Sequence, residues 1–359
     1  MDKQTGQQQF RVKAIAYLCL FALISGDSLF GESYPGPSPI WITWLSIGAI
    51  CLVGAIWSIA RSDWRRVLRQ VPIELYLLLA LMIGSSVWSA YARETVISFG
   101  IQVWITVVAI FFVTAFSWKQ IIKFFANSIR IIIFGSFLIE LITSVWKGVL
   151  GGFLPANFAD LNSALAKSGH LFDGGRIQGL LGNANYVAAW ALMGVITFAI
   201  EIATKKETRW LAIASLVASV LMIWVAKSAG IIFATVAVLL ATAVSLLAEG
   251  KDKVTRHRYY RLAWSVAGLA MFFVLIFRRA VFEVLGKSPD MTHRSDIWRK
   301  VLSLISQRPL EGWGFTGVWA PGTRPLDKLV VINGETYYQA HNAYLDMWLQ
   351  LGAVGLILL

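Results

Sequence analysis

The chain has 359 residues, of which 57% are hydrophobic and only 14% charged, and its mean hydropathy is +0.65. These values lie far from soluble averages and exclude an ordinary water-soluble enzyme. A formal net charge of +12 raises nucleic acid as a partner, but the distribution of that charge argues against it.

Apolar runs long enough to cross a bilayer recur at about 14–30, 40–60, 72–90, 95–116, 121–146, 184–203, 210–226, 229–248, 262–280 and 342–359. They predict an all-α polytopic membrane protein of about ten transmembrane helices, one membrane domain over 1–359. The first run is too long, and too poor in a small-residue cleavage site, for a removed signal peptide. Cys19 and Cys51 fall inside spans and read as small lipid- or core-facing residues, with no disulfide or metal role. Pro35, Pro37 and Pro39 mark a tight outer turn after the first span. The last run stops at Leu359 with no flanking polar anchor, which reads as an incomplete span.

With the N-terminus in the cytoplasm, 17 of the 32 Lys and Arg residues fall in inner segments and five in short outer ones. Short loops set orientation by this bias, while long loops translocate largely regardless of charge. The basic inner residues serve topology and anionic lipid. Two outer excursions result: a smaller loop over 147–183 and a large loop over 278–341. The large loop holds nine Lys and Arg residues together with Trp298, Trp313, Trp319, Tyr337 and Tyr338. Loops of that length are functional or disordered, and its aromatic content argues for function. Within it, apolar residues at 297, 298, 301, 302, 304 and 305 predict an amphipathic helix lying on the outer membrane surface. Pro309 and the glycines Gly312, Gly314 and Gly317 end that helix.

Several positions carry chemistry, each with a competing structural reading. Arg176 lies in a Gly-rich stretch that continues to Asn183, Ala184 and Asn185. Its planar fork suits a diphosphate, against a solvated Arg at a helix entrance. Arg294 opens the amphipathic segment, and its competing reading is a surface Arg paired with Asp296 or contacting lipid headgroups. Lys227, in the outer turn before Ser228, reads otherwise as a snorkelling lysine. His341 sits at an outer membrane boundary, where its pKa can be tuned for general-base work, against an interfacial helix cap. Asn342 and Asp346 form a neighbouring i,i+4 polar pair. His293 reads as a supporting residue, His257 as cytoplasmic, and His170 has no recognisable partner. Arg130 and Glu140 are intramembrane ionisable residues that rank lower because neither belongs to a motif. No Asp-x-Asp, Walker loop, His-Glu-x-x-His or Gly-x-Ser-x-Gly occurs, which disfavours nucleotide- or metal-dependent chemistry.

Taken in order, Arg176-Ile177-Gln178-Gly179, Asn183-Ala184-Asn185, Lys227-Ser228, Arg294-Ser295-Asp296-Ile297-Trp298, Gly312-Trp313-Gly314-Phe315-Thr316-Gly317 and His341-Asn342 before Leu345, Gly352 and Gly355 resemble the O-antigen ligase/polymerase superfamily. The resemblance covers about residues 170–359, and 312–319 looks most like the branch associated with exopolysaccharide production. It implies a C-type membrane glycosyltransferase on the outer face of a bacterial cytoplasmic (inner) membrane, polymerising or ligating a glycan from a polyprenyl (undecaprenyl) diphosphate donor. The implied acceptor is a hydroxyl on a glycan, lipid or other molecule, with no metal or other cofactor and other polysaccharide-assembly proteins as partners. In the roles it implies, Arg176 and Arg294 bind the diphosphate and stabilise its developing charge, and His341 orients or deprotonates the acceptor. Asn342 holds the acceptor, Lys227 adds a diphosphate contact, Asn183 contacts substrate, and Trp313 and Trp319 stack on sugar faces. The alternative is a non-enzymatic transporter or flippase for lipid-linked sugars, which would place ionisable residues through the membrane midplane.

Overall fold

A computed structural model describes residues 3–30, 39–61, 63–150, 169–204, 209–277, 294–319, 322–332 and 335–359. Residues 278–293 of the large loop, with His293, 151–168 of the smaller loop, and Pro35 and Pro37 lie outside the described residues.

The apolar runs become helices nearly where periodicity and length place them. In chain order these are α1 (Lys3–Phe30), α2 (Pro39–Ala60), α3 (Trp64–Gln70), α4 (Ile73–Gly84), α5 (Ala92–Ala115), α6 (Trp118–Leu150), α7 (Ala184–Thr204), α8 (Arg209–Ala226), α9 (Ala229–Ala248), α10 (Lys253–Ile276), α11 (Arg294–Ile305) and α12 (Ala343–Leu358). Among the described residues five helices, α5 to α9, are long and apolar enough to cross a membrane, or six if the bent α2–α3 pair counts as one span. The protein is therefore an all-α, multi-pass membrane protein. α4 and α12 are apolar but shorter, while α1 and α10 begin on strongly polar turns.

The chain divides into two compact units, Met1–Trp118 with Gly286–Leu359, and Lys119–Leu285. In the first, α2 packs on α1 and α5. Ile15 lies across Gly54, where a Cβ would come within 2.8 Å of its Cδ1, and the Trp104 indole donates to the Gly48 carbonyl at 3.2 Å. Cys19 and Cys51 are buried and unbridged where α1 meets α2, so of the two readings open for them the core-facing one holds.

The same unit contains the described part of the large loop, residues 294–319, 322–332 and 335–341, and this part has a core of its own. Ile297, Val301, Leu304 and Ile305 of α11 are buried against Tyr91, Trp319, Leu326, Val330, Ala340 and Leu349. The amphipathic stripe is therefore as expected, but its partner is protein and not the membrane surface. A short antiparallel hairpin, β1 (Val330–Ile332) with β2 (Glu335–Tyr337), pairs Val330 with Tyr337 and closes that core.

In the second unit α7 packs closely on α8, where Gly194 lets Ser219 approach, and Ile129 of α6 reaches the same glycine. Arg130 is engaged inside this unit. It forms an ion pair with Glu201, donates to Ser215 Oγ and Asn127 Oδ1 at 3.1 Å each, and lies 4.7 Å over the Phe198 ring. Buried charges persist when paired and hydrogen-bonded in this way, so Arg130 is structural. Hardly any residue of α9 is buried, as expected of a lipid-facing helix.

Candidate active site

The first unit builds a cavity of about 360 Å³ lined by polar side chains of the α12 entrance, His341, Asn342 and Asp346, and further along by Gln339, Gln350, Phe315 and Met347. α12 starts where it does because Asn342 caps it: Oδ1 accepts the Tyr344 and Leu345 N–H groups at 3.0 and 3.3 Å, satisfying donors that a helix start leaves open. His341 precedes the cap with φ at +51°, a left-handed conformation that costs a non-glycine residue energy and clusters at functional sites. Ala340 is buried and held from both sides. Its N–H donates to Asp346 Oδ2 at 2.9 Å, and its carbonyl accepts from the Trp298 indole at 3.0 Å. These bonds, which the sequence reading did not foresee for Asp346 and Trp298, hold the strained residue in place.

The His341 ring meets Tyr337 edge-on, with centroids 5.9 Å apart. Among the described residues neither ring nitrogen has a hydrogen-bond partner. Partial desolvation, and then the positive charge of Arg294, hold its pKa below the ordinary 6.5, which favours the neutral imidazole that can accept a proton. Arg294 is exposed, and among the described residues it has no ion pair; Asp296 instead pairs with Arg299 at 3.3 Å. The competing reading of Arg294 as the partner of Asp296 therefore fails.

The Gly312–Gly317 motif forms the neighbouring wall by docking on a break in α12. At Gly352 the backbone leaves the helix, with φ +67° and ψ −169°. The carbonyls released there accept the Trp313 N–H (to Leu349, 3.0 Å) and the Gly314 N–H (to Gln350, 2.8 Å). The buried Gln350 Oε1 takes the Thr316 and Gly317 N–H groups at 2.8 and 3.0 Å. The turn between α4 and α5 adds Ser85 Oγ, which accepts from Phe315 N at 3.0 Å, and Tyr91, which donates to the Gly314 carbonyl at 3.1 Å. Glycine is required at 312 and 314: a Cβ there would come within 2.5 Å of the Gln350 carbonyl oxygen and of Ser89 Oγ respectively.

Trp319 is fully buried, which leaves it no face for a sugar and corrects that expectation. Its indole N–H and Asp346 Oδ1 are both buried without a hydrogen-bond partner, although the two side chains interact electrostatically. Trp313 is partly buried, donates to the Leu304 carbonyl at 3.1 Å, and carries Arg308 over its ring at 4.4 Å. Both tryptophans hold the wall together.

The second unit gathers Arg176, Lys227 and the Asn183–Asn185 turn. Arg176 Nε donates to the Ala226 carbonyl at 3.1 Å and Nη2 to Asn185 Oδ1 at 2.9 Å. Asn185 Oδ1 also accepts from Ser228 Oγ at 2.9 Å. Among the described residues Nη1 of Arg176 is left free. Lys227, with φ at +49°, donates to the Gly174 carbonyl and is thereby bent toward the Arg176 loop rather than extended along lipid. Asn183 Oδ1 accepts the Asn185 N–H at 2.9 Å and the Tyr186 N–H at 3.4 Å, so its carbonyl caps α7. His170 does have a partner. Its Nδ1 lies 2.9 Å from Asp173, whose carboxyl the Gly175 N–H and then His170 hold below its usual range.

Each unit thus collects its own share of the expected residues: His341, Arg294 and Asn342 in the first, Arg176, Lys227 and Asn183 in the second. The curated proteins and the solved structures contain no match to the chain. Residues 192–359 match the family model described as O-antigen ligase, a stretch that begins after Arg176 and includes Lys227, Arg294 and His341. That carboxy-terminal part of the chain is similar to the O-antigen ligase family.

Proposed function

We propose that the protein is an extracytoplasmic glycosyltransferase of surface-polysaccharide assembly, moving a glycan from a polyprenyl diphosphate onto an acceptor hydroxyl. The observation that carries this reading is His341: strained, without a hydrogen bond to its ring among the described residues, with its pKa held down, and set at the edge of a cavity. In the reaction the acceptor O–H proton passes to an imidazole nitrogen as the oxygen bonds to the anomeric carbon. The bond from that carbon to the phosphate oxygen breaks, and the electron pair leaves with the lipid diphosphate. Arg294 supplies positive charge beside His341. Arg176, with one nitrogen of its fork free among the described residues, and Lys227 suit the diphosphate oxygens. The reading extends to ten membrane crossings, with α1, α2, α4, α10 and α12 added to the five long apolar helices, and to a site on the outer face of the inner membrane.

A transport reading would use Arg130 and Glu140, yet both are taken up by partners inside the second unit. The test uses purified full chain in liposomes, with lipid-linked oligosaccharide on one side only. Glycan joining without translocation is expected; translocation without joining would replace this proposal with the transport reading.

A pH profile checks the His341 assignment. Because the folded pKa is lowered from 6.5, kcat/KM should fall on the acidic side as the ring gains a proton, with a limb at lower pH than an ordinary imidazole gives. Arg294→Ala removes one of the two causes of that shift, so the acidic limb should move to higher pH. An unchanged limb would contradict the coupling.

A further inference from the structure

Glu140 stands within α6, fully buried, and among the described residues it forms no ion pair. Its carboxylate accepts four backbone N–H groups instead. Oε2 takes Gly169 at 2.8 Å and His170 at 3.0 Å, while Oε1 takes Gln178 at 3.0 Å and Gly179 at 3.1 Å. The two pairs come from opposite ends of the 169–179 segment, so one side chain closes that segment into a loop against its own helix.

Neighbours on α6 reinforce both ends. Ser144 Oγ accepts the Leu171 N–H and Ser136 Oγ the Leu180 N–H, each at 3.1 Å. Gly179 lies so close to Ser136 that a Cβ would sit 2.4 Å from it. Arg176 is carried between the anchored ends. Its Nε bond to the Ala226 carbonyl and the bond from Ile177 N–H to the Val225 carbonyl then tie the loop to the turn that bears Lys227. Displacement of either end carries Arg176 with it.

We propose that Glu140 is a positioning residue: its carboxylate, set in a membrane helix, clamps both ends of the 169–179 loop and so fixes the Arg176 guanidinium for a diphosphate-bearing lipid donor. The inference rests on the role proposed above for Arg176, and the test separates the two. Glu140→Gln turns one accepting oxygen into an NH₂ donor, which faces two N–H groups and can bond neither.

In hydrogen exchange on the full chain in nanodiscs, peptides covering 169–179 should lose protection in Glu140→Gln while those of α7 and α8 keep theirs. In turnover of lipid-linked oligosaccharide, kcat should fall about a hundredfold, the scale expected when a positioned group moves by about 1 Å. The acceptor KM should stay unchanged. Glu140→Asp, which keeps both acceptors on a shorter stem, should recover part of the rate, and it supplies the same readings if Glu140→Gln does not insert. Unchanged protection over 169–179 overturns the clamp. Lost protection with wild-type kcat reduces Glu140 to a structural role and overturns the positioning. Normal turnover by Arg176→Ala overturns the diphosphate role of Arg176, and the clamp then stands or falls on the exchange data alone.

Discussion

His341→Ala is expected to abolish glycan joining, with a loss of about 10²–10⁴-fold, the usual contribution of a positioned general base. The same change should barely disturb folding. Among the described residues the ring makes no hydrogen bond, and its edge contact with Tyr337 is worth about 0.5–1.5 kcal/mol. The cap on α12 belongs to Asn342, and the bonds to Ala340 belong to Asp346 and Trp298, so all three survive the substitution. His341→Gly makes the distinction sharper. Glycine accepts φ near +51° without penalty, so this variant should melt at or above the wild-type temperature and still be inactive. A residue that served only as an interfacial cap would show the opposite: a small loss of stability and normal product. Normal glycan joining by well-inserted His341→Ala would remove the proposed base.

The helices were legible because membrane spans are written in composition, and each apolar run from 14–30 to 342–359 contains or overlaps a helix. What the sequence hid was what each group faces. The stripe of α11 announces burial, but a stripe looks the same whether lipid or protein covers it. Trp319 reads as a sugar platform until its ring is found enclosed. β1 and β2 have three residues each, too few for an alternating pattern to stand out. Glu140 ranked low because its partners are backbone N–H groups of a distant loop, which no pattern of residue types reveals. For His341 the residue was visible in its motif, whereas its strain depends on Asp346 and Trp298.

Gly352→Ala should cost more stability than any other single change in the cavity wall. The backbone there has φ +67° and ψ −169°, a region essentially closed to residues with a Cβ and costing about 1–3 kcal/mol by itself. Collision adds to the strain. A Cβ would lie 1.9 Å from the Leu310 carbonyl oxygen, 2.2 Å from its carbon and 2.7 Å from Glu311 N, and backbone atoms cannot rotate out of the way as a side chain can. Relief requires the 309–317 segment to lift from α12. That would break the bonds from Trp313, Gly314 and Ala353 N–H to the Leu349, Gln350 and Pro309 carbonyls and pull Thr316 and Gly317 from Gln350. Gly317→Ala separates the two causes: its φ is +68°, but nothing lies within 4 Å of the added Cβ. It should cost only the left-handed strain, about 1–2 kcal/mol. Thermal melting in detergent is expected to rank the chain as wild type, Gly317→Ala, then Gly352→Ala, the last with little folded protein. A Gly352→Ala protein that melts with the wild type would mean that the motif does not depend on the break in α12, and that the wall beside His341 is held by the α4–α5 turn alone.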